Sequence, residues 1–428
     1  MRLTLGMVAK PGKLFYGWAI VVALGVTITI SYGALSYSIG VFFTPVREET
    51  GWSASAMSGA FSLSLLVSGL LGIVVGRLTD RYGARVVMSV GSLLGAAGLA
   101  LFSVAHGLWL FYLAWGVVIG AGTAASFYPP AFTAVTNWFE RKRGKALGIL
   151  TFLGGFASII FIPLTSQLVV AFGWRAAARI LALIIVAVAL PLHALVLRRR
   201  PEDMGLRPDG DGPRAEDRQV AAVADSVHAQ RGPSLFRNGL FLVLTAGFFF
   251  SFLATFTVLV HQLPHLIESG LSATSVATAA GFIGIASLPG RFVLTSLSDR
   301  INPALILSGV TALMGLSLFV LMAASGLAMV YLYVLLFGLG FGALQPLRAA
   351  VMARHFGRAN YGSILGTQGA VLAIPTAAGP LMAGAIRDIS GGYTSAFALL
   401  AALYFLASAL MLAVAARPRL WLRRLQEA

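Results

Sequence analysis

Twelve apolar stretches, each of about 20 residues or more, leave this 428-residue chain little choice of fold. They lie near residues 16–43, 54–75, 86–105, 108–135, 146–171, 175–197, 239–263, 273–296, 304–324, 327–353, 363–384 and 395–415. At about 1.5 Å per residue, a helix formed by any one of them crosses the roughly 30 Å of hydrocarbon in a bilayer. In that solvent every backbone N–H and C=O must be satisfied inside the protein, so only helices and closed barrels span it. Barrel strands would alternate polar and apolar residues with period two, and these stretches do not. Composition agrees, since only 11% of residues are charged where a water-soluble domain carries about 25%. The predicted fold class is an all-α polytopic membrane protein with twelve transmembrane helices.

The net charge of +16 would suit a nucleic-acid partner, but its distribution points elsewhere. Of the 31 Lys and Arg residues, 25 fall in the two ends and the alternate connections on one side. Arg47, Arg175, Arg179 and Arg387 are the only four on the other side. That asymmetry is the positive-inside bias of an even-numbered bundle with both termini in the cytoplasm. A bacterial inner membrane is the expected location, lipid the surrounding partner and nucleic acid not one. The chain has no cysteine, which excludes disulfide and thiolate chemistry. No run reads as a nucleotide-binding loop, and neither cofactor nor metal is expected.

The polar stretch 198–238 divides the chain into a first six-helix half, 1–197, and a second, 239–428. Pro45 and Pro264, Gly51 and Gly270, Ser53 and Ser272, Asp80 and Asp299, and Gly173 and Gly392 each stand 219 residues apart. A shared register of this length predicts two pseudo-symmetric halves related by an axis along the membrane normal, with a site between them. The linker's seven acids nearly balance its eight arginines, and it reads as a solvated tether without chemistry of its own. Glycine runs at Gly91-x-x-x-Gly95, Gly116-x-x-x-Gly120-x-Gly122 and Gly338-x-Gly340-x-Gly342 predict close helix packing.

The connection after the second stretch, Gly76-Arg-Leu-Thr-Asp80-Arg81-Tyr-Gly83-Ala-Arg85, resembles the signature of the major facilitator superfamily. Ser298-Asp299-Arg300 is its remnant in the second half. A narrower likeness, to the monocarboxylate and oxalate:formate branch, rests on Trp138-Phe-Glu-Arg141-Lys142-Arg143-Gly-Lys-Ala146-Leu-Gly148, on Tyr16-Gly17-Trp18 and on Val41-Phe42-Phe43. The resemblance implies that Gly76, Asp80, Arg81, Gly83, Arg85, Arg141, Arg143, Asp299 and Arg300 latch the cytoplasmic side during alternating access. It also implies a carboxylate-binding arginine in the eighth helix, where Arg291 falls.

Arg291 draws the same reading from its own surroundings. It lies eight residues before Asp299, or about 12 Å along a helix, in an otherwise apolar run. A cation there costs on the order of 3 kcal/mol to insert, which marks function. Its counterpart in the first half is Gly72, so the repeat does not require a base. Pro289 removes the hydrogen bond to the Ile285 carbonyl and predicts a kink beside the charge. All fifteen acids fall in connections or at helix ends, so the expected partner of Arg291 is a substrate carboxylate held by two parallel N–H bonds.

Tyr128, before Pro129-Pro130, is expected to donate to that carboxylate, Tyr37 to close the pocket from outside, and Gln345 to hydrogen-bond a hydroxyl or carboxylate. His261 is placed as an external proton acceptor or gate. Arg348, six residues from Arg354, is read as reaching the inner interface along its stem. Together these predict no enzyme but a monomeric secondary transporter of small monocarboxylates, of lactate or pyruvate size, working by symport with a proton. Anion exchange and export of amphipathic compounds are the alternatives.

Overall fold

The computed structural model describes residues 15–210 and 232–416, so the basic head, the middle of the linker and the tail lie outside the described residues. The first four membrane helices are α1 (Tyr16–Thr50), α2 (Ala54–Tyr82), α3 (Ala84–Ser103) and α4 (Leu108–Trp138). A helical stretch of 54 residues follows, Arg143–Val196. At 1.5 Å per residue it would measure about 80 Å, far more than a bilayer. Gly173 breaks it with φ 77° and ψ 162°, a conformation open to glycine and not to L side chains, giving α5 (143–172) and α6 (174–196). The second half contains α7 (Gly239–Glu268), α8 (273–297), α9 (Pro303–Met322), α10 (Leu327–Phe356), α11 (Tyr361–Ser390) and α12 (Thr394–Ala416). These twelve helices of the described residues form the two pseudo-symmetric halves.

The repeat recurs in local chemistry. Ser53 caps α2 by accepting from the Ala56 N–H at 3.2 Å, and Ser272 caps α8 through Ser275 at 3.3 Å. Gly51 and Gly270 precede these caps at φ 72° and 89°. At the far end the left-handed match for Gly173 is Gly391, at φ 76°, one residue before the glycine the constant offset selects. The glycine runs act in packing: Gly91 lies on Ala125, Gly120 on the Ser64 carbonyl, and Gly342 on the Ser287 carbonyl.

Both halves close on each other toward the linker side. Along α2 and α11, Gly69 meets Ala373, Gly72 meets Gly366 and Gly76 meets Gly362. Along α5 and α8, Gly155 meets Leu288, Gly148 meets the Arg291 and Phe292 carbonyls, and Gly144 meets Ser298. Toward the opposite side a Cβ on Gly281, Gly284 or Gly384 would meet nothing within 4 Å. The ion pairs there stay inside one half: Arg175–Glu49 at 2.8 Å in the first and Arg387–Glu268 at 2.9 Å in the second. The bundle is therefore sealed beside the linker and splayed on the other face.

The linker departs from the solvated tether expected of it. Asp209, only 5% exposed and at φ 60°, accepts from the backbone N–H groups of Glu140 (3.0 Å), Arg141 (2.8 Å) and Lys142 (3.1 Å). Glu202 pairs with Arg358 at 3.3 Å. The three N–H groups before α5 have no intrahelical acceptor, and a carboxylate satisfies them. The remaining linker acids from Asp211 onward lie outside the described residues.

Candidate functional site

Pro289 cannot donate to the helix ladder, and α8 answers with a wider π turn over Gly290–Leu294 that carries Arg291. Gly290 lets this turn press on the Leu339 carbonyl of α10. The side chain points between the halves. Its Nε donates to Ser287 Oγ at 3.2 Å, and its Nη1 to the Tyr128 hydroxyl and the Thr151 carbonyl, both at 3.3 Å. Arg291 thus touches α4 and α5 of the first half from α8 of the second.

Tyr128 is presented by a break in α4. Phe127 is extended (φ −92°, ψ −163°), and Pro129-Pro130 start the next helical segment, where missing N–H groups cost nothing. The ring is gripped by Phe132, with centroids 5.1 Å apart, and by Tyr32, also at 5.1 Å. Tyr32 stacks in turn on Phe127 at 3.8 Å. Gly154 leaves room for the phenol oxygen, which a Cβ there would strike. Because the Tyr128 oxygen accepts from Arg291, its own proton is available to a ligand.

All three acceptors of Arg291 are neutral, and among the described residues it forms no ion pair. Its Nη2 carries no hydrogen bond among the described residues. A half-buried guanidinium with neutral partners and a free edge fits one further group well, an oxyanion.

The remaining candidates are placed apart from this centre. Tyr37 lies in a second π turn, Gly33–Tyr37, is 40% exposed and makes no hydrogen bond among the described residues. It comes within electrostatic reach of Tyr32 and Tyr128. Gln345 is half-buried, and its amide makes no hydrogen bond with the described residues. His261 sits against Pro380, Nε2 to carbonyl at 2.9 Å, with its ring 5.2 Å from that of Tyr393, and does not meet Arg291. Arg348 corrects an expectation: it does not extend to the interface but is 5% exposed, donating from Nη1 to Gln368 Oε1 at 3.3 Å over the ring of Phe252. The acceptor on α11 and the aromatic face on α7 hold it inside the half.

On the linker side the two motif acids act reciprocally. Asp80 of the first half accepts from the N–H groups of Gly362 (2.8 Å) and Ser363 (2.7 Å) and from Ser363 Oγ (2.6 Å), at the start of α11. Asp299 of the second half accepts from Gly144 (2.5 Å) and Lys145 (2.8 Å), at the start of α5. Each carboxylate lies on a helix N-terminus of the other half, where orphan N–H groups and the helix dipole favour negative charge. Lost hydration raises the Asp299 carboxyl above its ordinary value, while the two N–H bonds pull it back. Gly76 allows the approach, since a Cβ would strike the Gly362 carbonyl. Gly83 ends α2 at φ 83°. Arg81 packs over Tyr82 at 5.2 Å, Arg143 donates to the Phe139 carbonyl at 3.0 Å, and the Arg141 N–H reaches Asp209. Arg85 and Arg300 make no ion pair among the described residues.

Tyr32, Thr151, Gln368 and Asp209 were not singled out by the sequence. A lone glutamine in the apolar stretch 363–384 was a visible signal, whereas a threonine carbonyl has none.

Among the described residues, twelve helices in two halves, sealed through motif acids on one side and meeting at a half-buried arginine, define a polytopic membrane carrier. The sequence model of the Major Facilitator Superfamily matches residues 24–380 and 297–428, and the chain belongs to that superfamily. It is 28% identical over 410 residues to human monocarboxylate transporter 11, covering 91% of this chain and 81% of that protein. To bovine monocarboxylate transporter 13 it is 27% identical, covering 94% and 90%. Among solved structures it is similar to the transporter FucP in the outward conformation, with a TM-score of 0.71 at 16% identity, covering 92% and 98%. The chain is an integral membrane transporter of a small molecule and not an enzyme.

Proposed function

We propose that the chain is a secondary transporter of small monocarboxylates, of lactate or pyruvate size, working by alternating access with Arg291 as the carboxylate anchor. The observation that carries this reading is the Arg291 guanidinium, bonded among the described residues to Ser287, Tyr128 and the Thr151 carbonyl and to no carboxylate. The substrate carboxylate takes its free edge, and the Tyr128 hydroxyl donates to the same group. The halves, 1–197 and 239–428, rock about this contact while the linker 198–238 tethers them. Release of Asp80 from α11 and of Asp299 from α5 opens the linker side. Arginine and lysine asymmetry supports placing that side in the cytoplasm of a bacterial inner membrane.

The proposed coupling is symport with one proton per carboxylate by a monomer, which makes the cycle electroneutral. Uptake of labelled lactate, pyruvate, formate and oxalate into proteoliposomes, with and without an inward proton gradient, tests the reading. Saturable lactate or pyruvate uptake that the gradient accelerates is the expected result. Uptake that needs a carboxylate preloaded inside would replace symport by exchange. Efflux of amphipathic compounds with no carboxylate uptake would overturn the substrate class.

A further inference from the structure

Arg348 is a second guanidinium within the bundle, more deeply buried than Arg291, and the transport cycle above does not use it. It is 5% exposed, and of its three nitrogens only Nη1 has an acceptor, Gln368 Oε1 at 3.3 Å. Its Nε is buried with no hydrogen-bond partner, and its Nη2 has none, among the described residues. No described acid pairs with it. Five N–H donors served by one neutral amide leave a buried charge strongly under-compensated.

The surroundings aim this group rather than satisfy it. Gln368 is turned by its own amide, which donates to Thr245 Oγ1 at 3.3 Å and approaches Met352 Sδ at 3.5 Å, leaving its oxygen toward Arg348. Phe252 lies beneath the guanidinium at 5.7 Å. Arg348 lies eight residues before the end of α10 at Phe356, and Arg291 six before the end of α8 at Leu297. They stand about 12 and 9 Å above those linker-side ends, within one helical turn of a common level. Tyr32 of the first half lies within electrostatic reach of both, and its hydroxyl makes no hydrogen bond within the described residues. Two incompletely bonded guanidinia of the second half thus both act electrostatically on one tyrosine of the first.

We propose that Arg348 is a second ligand-binding arginine, so that the site takes, besides a monocarboxylate of lactate or pyruvate size, an aliphatic dicarboxylate whose second carboxylate lies at the end remote from Arg291. This rests on the carboxylate reading of Arg291 and extends it: a plain monocarboxylate fills one anchor, and an aliphatic dicarboxylate fills both. The chain length that bridges them sets the specificity, with Tyr32 lining the space between.

The test is inhibition of labelled pyruvate counterflow in proteoliposomes by unlabelled acids of three to six carbons, each dicarboxylate against the monocarboxylate of equal length. The expected result for the unaltered protein is a dicarboxylate preferred by about tenfold or more at one chain length, the ratio that one charge-assisted pairing supports. Arg348→Gln is expected to bring that ratio close to one, and Arg348→Lys to leave it intermediate. A ratio near one in the unaltered protein would overturn the inference even if the variants fail to fold. So would a preference that survives in Arg348→Gln. Those results leave the Arg291 reading standing, whereas absence of competition by any carboxylate would remove both.

Discussion

At the scale of single residues, the structure turns on a cation whose protein partners are all neutral. Removing the Tyr128 hydroxyl while keeping the ring deletes the bond it donates to the ligand and the one it accepts from Arg291 without moving the ring, since Phe132 and Tyr32 hold it by stacking. A neutral hydrogen bond is worth about 0.5–1.5 kcal/mol, so Tyr128→Phe is expected to raise the KM for transported carboxylate about two- to tenfold. An unchanged KM would remove Tyr128 from the ligand. Arg291 and Tyr128 were legible as sequence because a base in an apolar run and a Pro-Pro pair after a tyrosine both break local rules. The environment of Arg348 was not. A long side chain six residues from a helix end can run outward along its stem or turn inward. Gln368 and Phe252, on other helices, decide which.

At the scale of elements, the devices are helix ends, π turns and glycine contacts. The chain lacks cysteine, so a single introduced thiol reports access without background. Ser296, half-buried in α8 against Gly148 of α5, is the reporter position. Asp80→Ala or Asp299→Ala removes a cap worth about 1 kcal/mol and shifts the population toward the linker-side-open state. Ser296→Cys should then react faster with a membrane-impermeant thiol reagent applied from the linker side in either variant than in the parent, and fastest in the double variant. Equal rates would show that the acids do not hold the seal. Gly76→Ala, which drives a methyl into the Gly362 carbonyl, is expected to slow turnover several-fold at little cost in binding. Gly281→Ala, which meets nothing, should leave uptake rates alone. The repeat register picked out both acids in the sequence. Their partners were hidden because Asp80 and Gly362 are 282 residues apart, and no local pattern records a contact of that range.

At the scale of the whole molecule, twelve helices, their even number and their internal repeat were already visible, because hydrocarbon thickness and backbone satisfaction permit so few solutions. The state of the bundle was not visible, since one sequence must serve every state of its cycle. Reciprocal caps bind the halves on the linker side, while the described ion pairs on the other side bind each half to itself. The docked linker adds a further tie, Asp209 on the entry to α5, which a reading by composition took for solvated chain. The central claim remains that the missing partner of Arg291 is the substrate. Counterflow of labelled pyruvate by Arg291→Ala and Arg291→Lys, in proteoliposomes with matched protein content, measures it most directly. The account predicts loss of counterflow in Arg291→Ala, with Arg291→Lys retaining charge but not the two-pronged geometry and falling between. Counterflow in Arg291→Ala equal to that of the unaltered protein would contradict it.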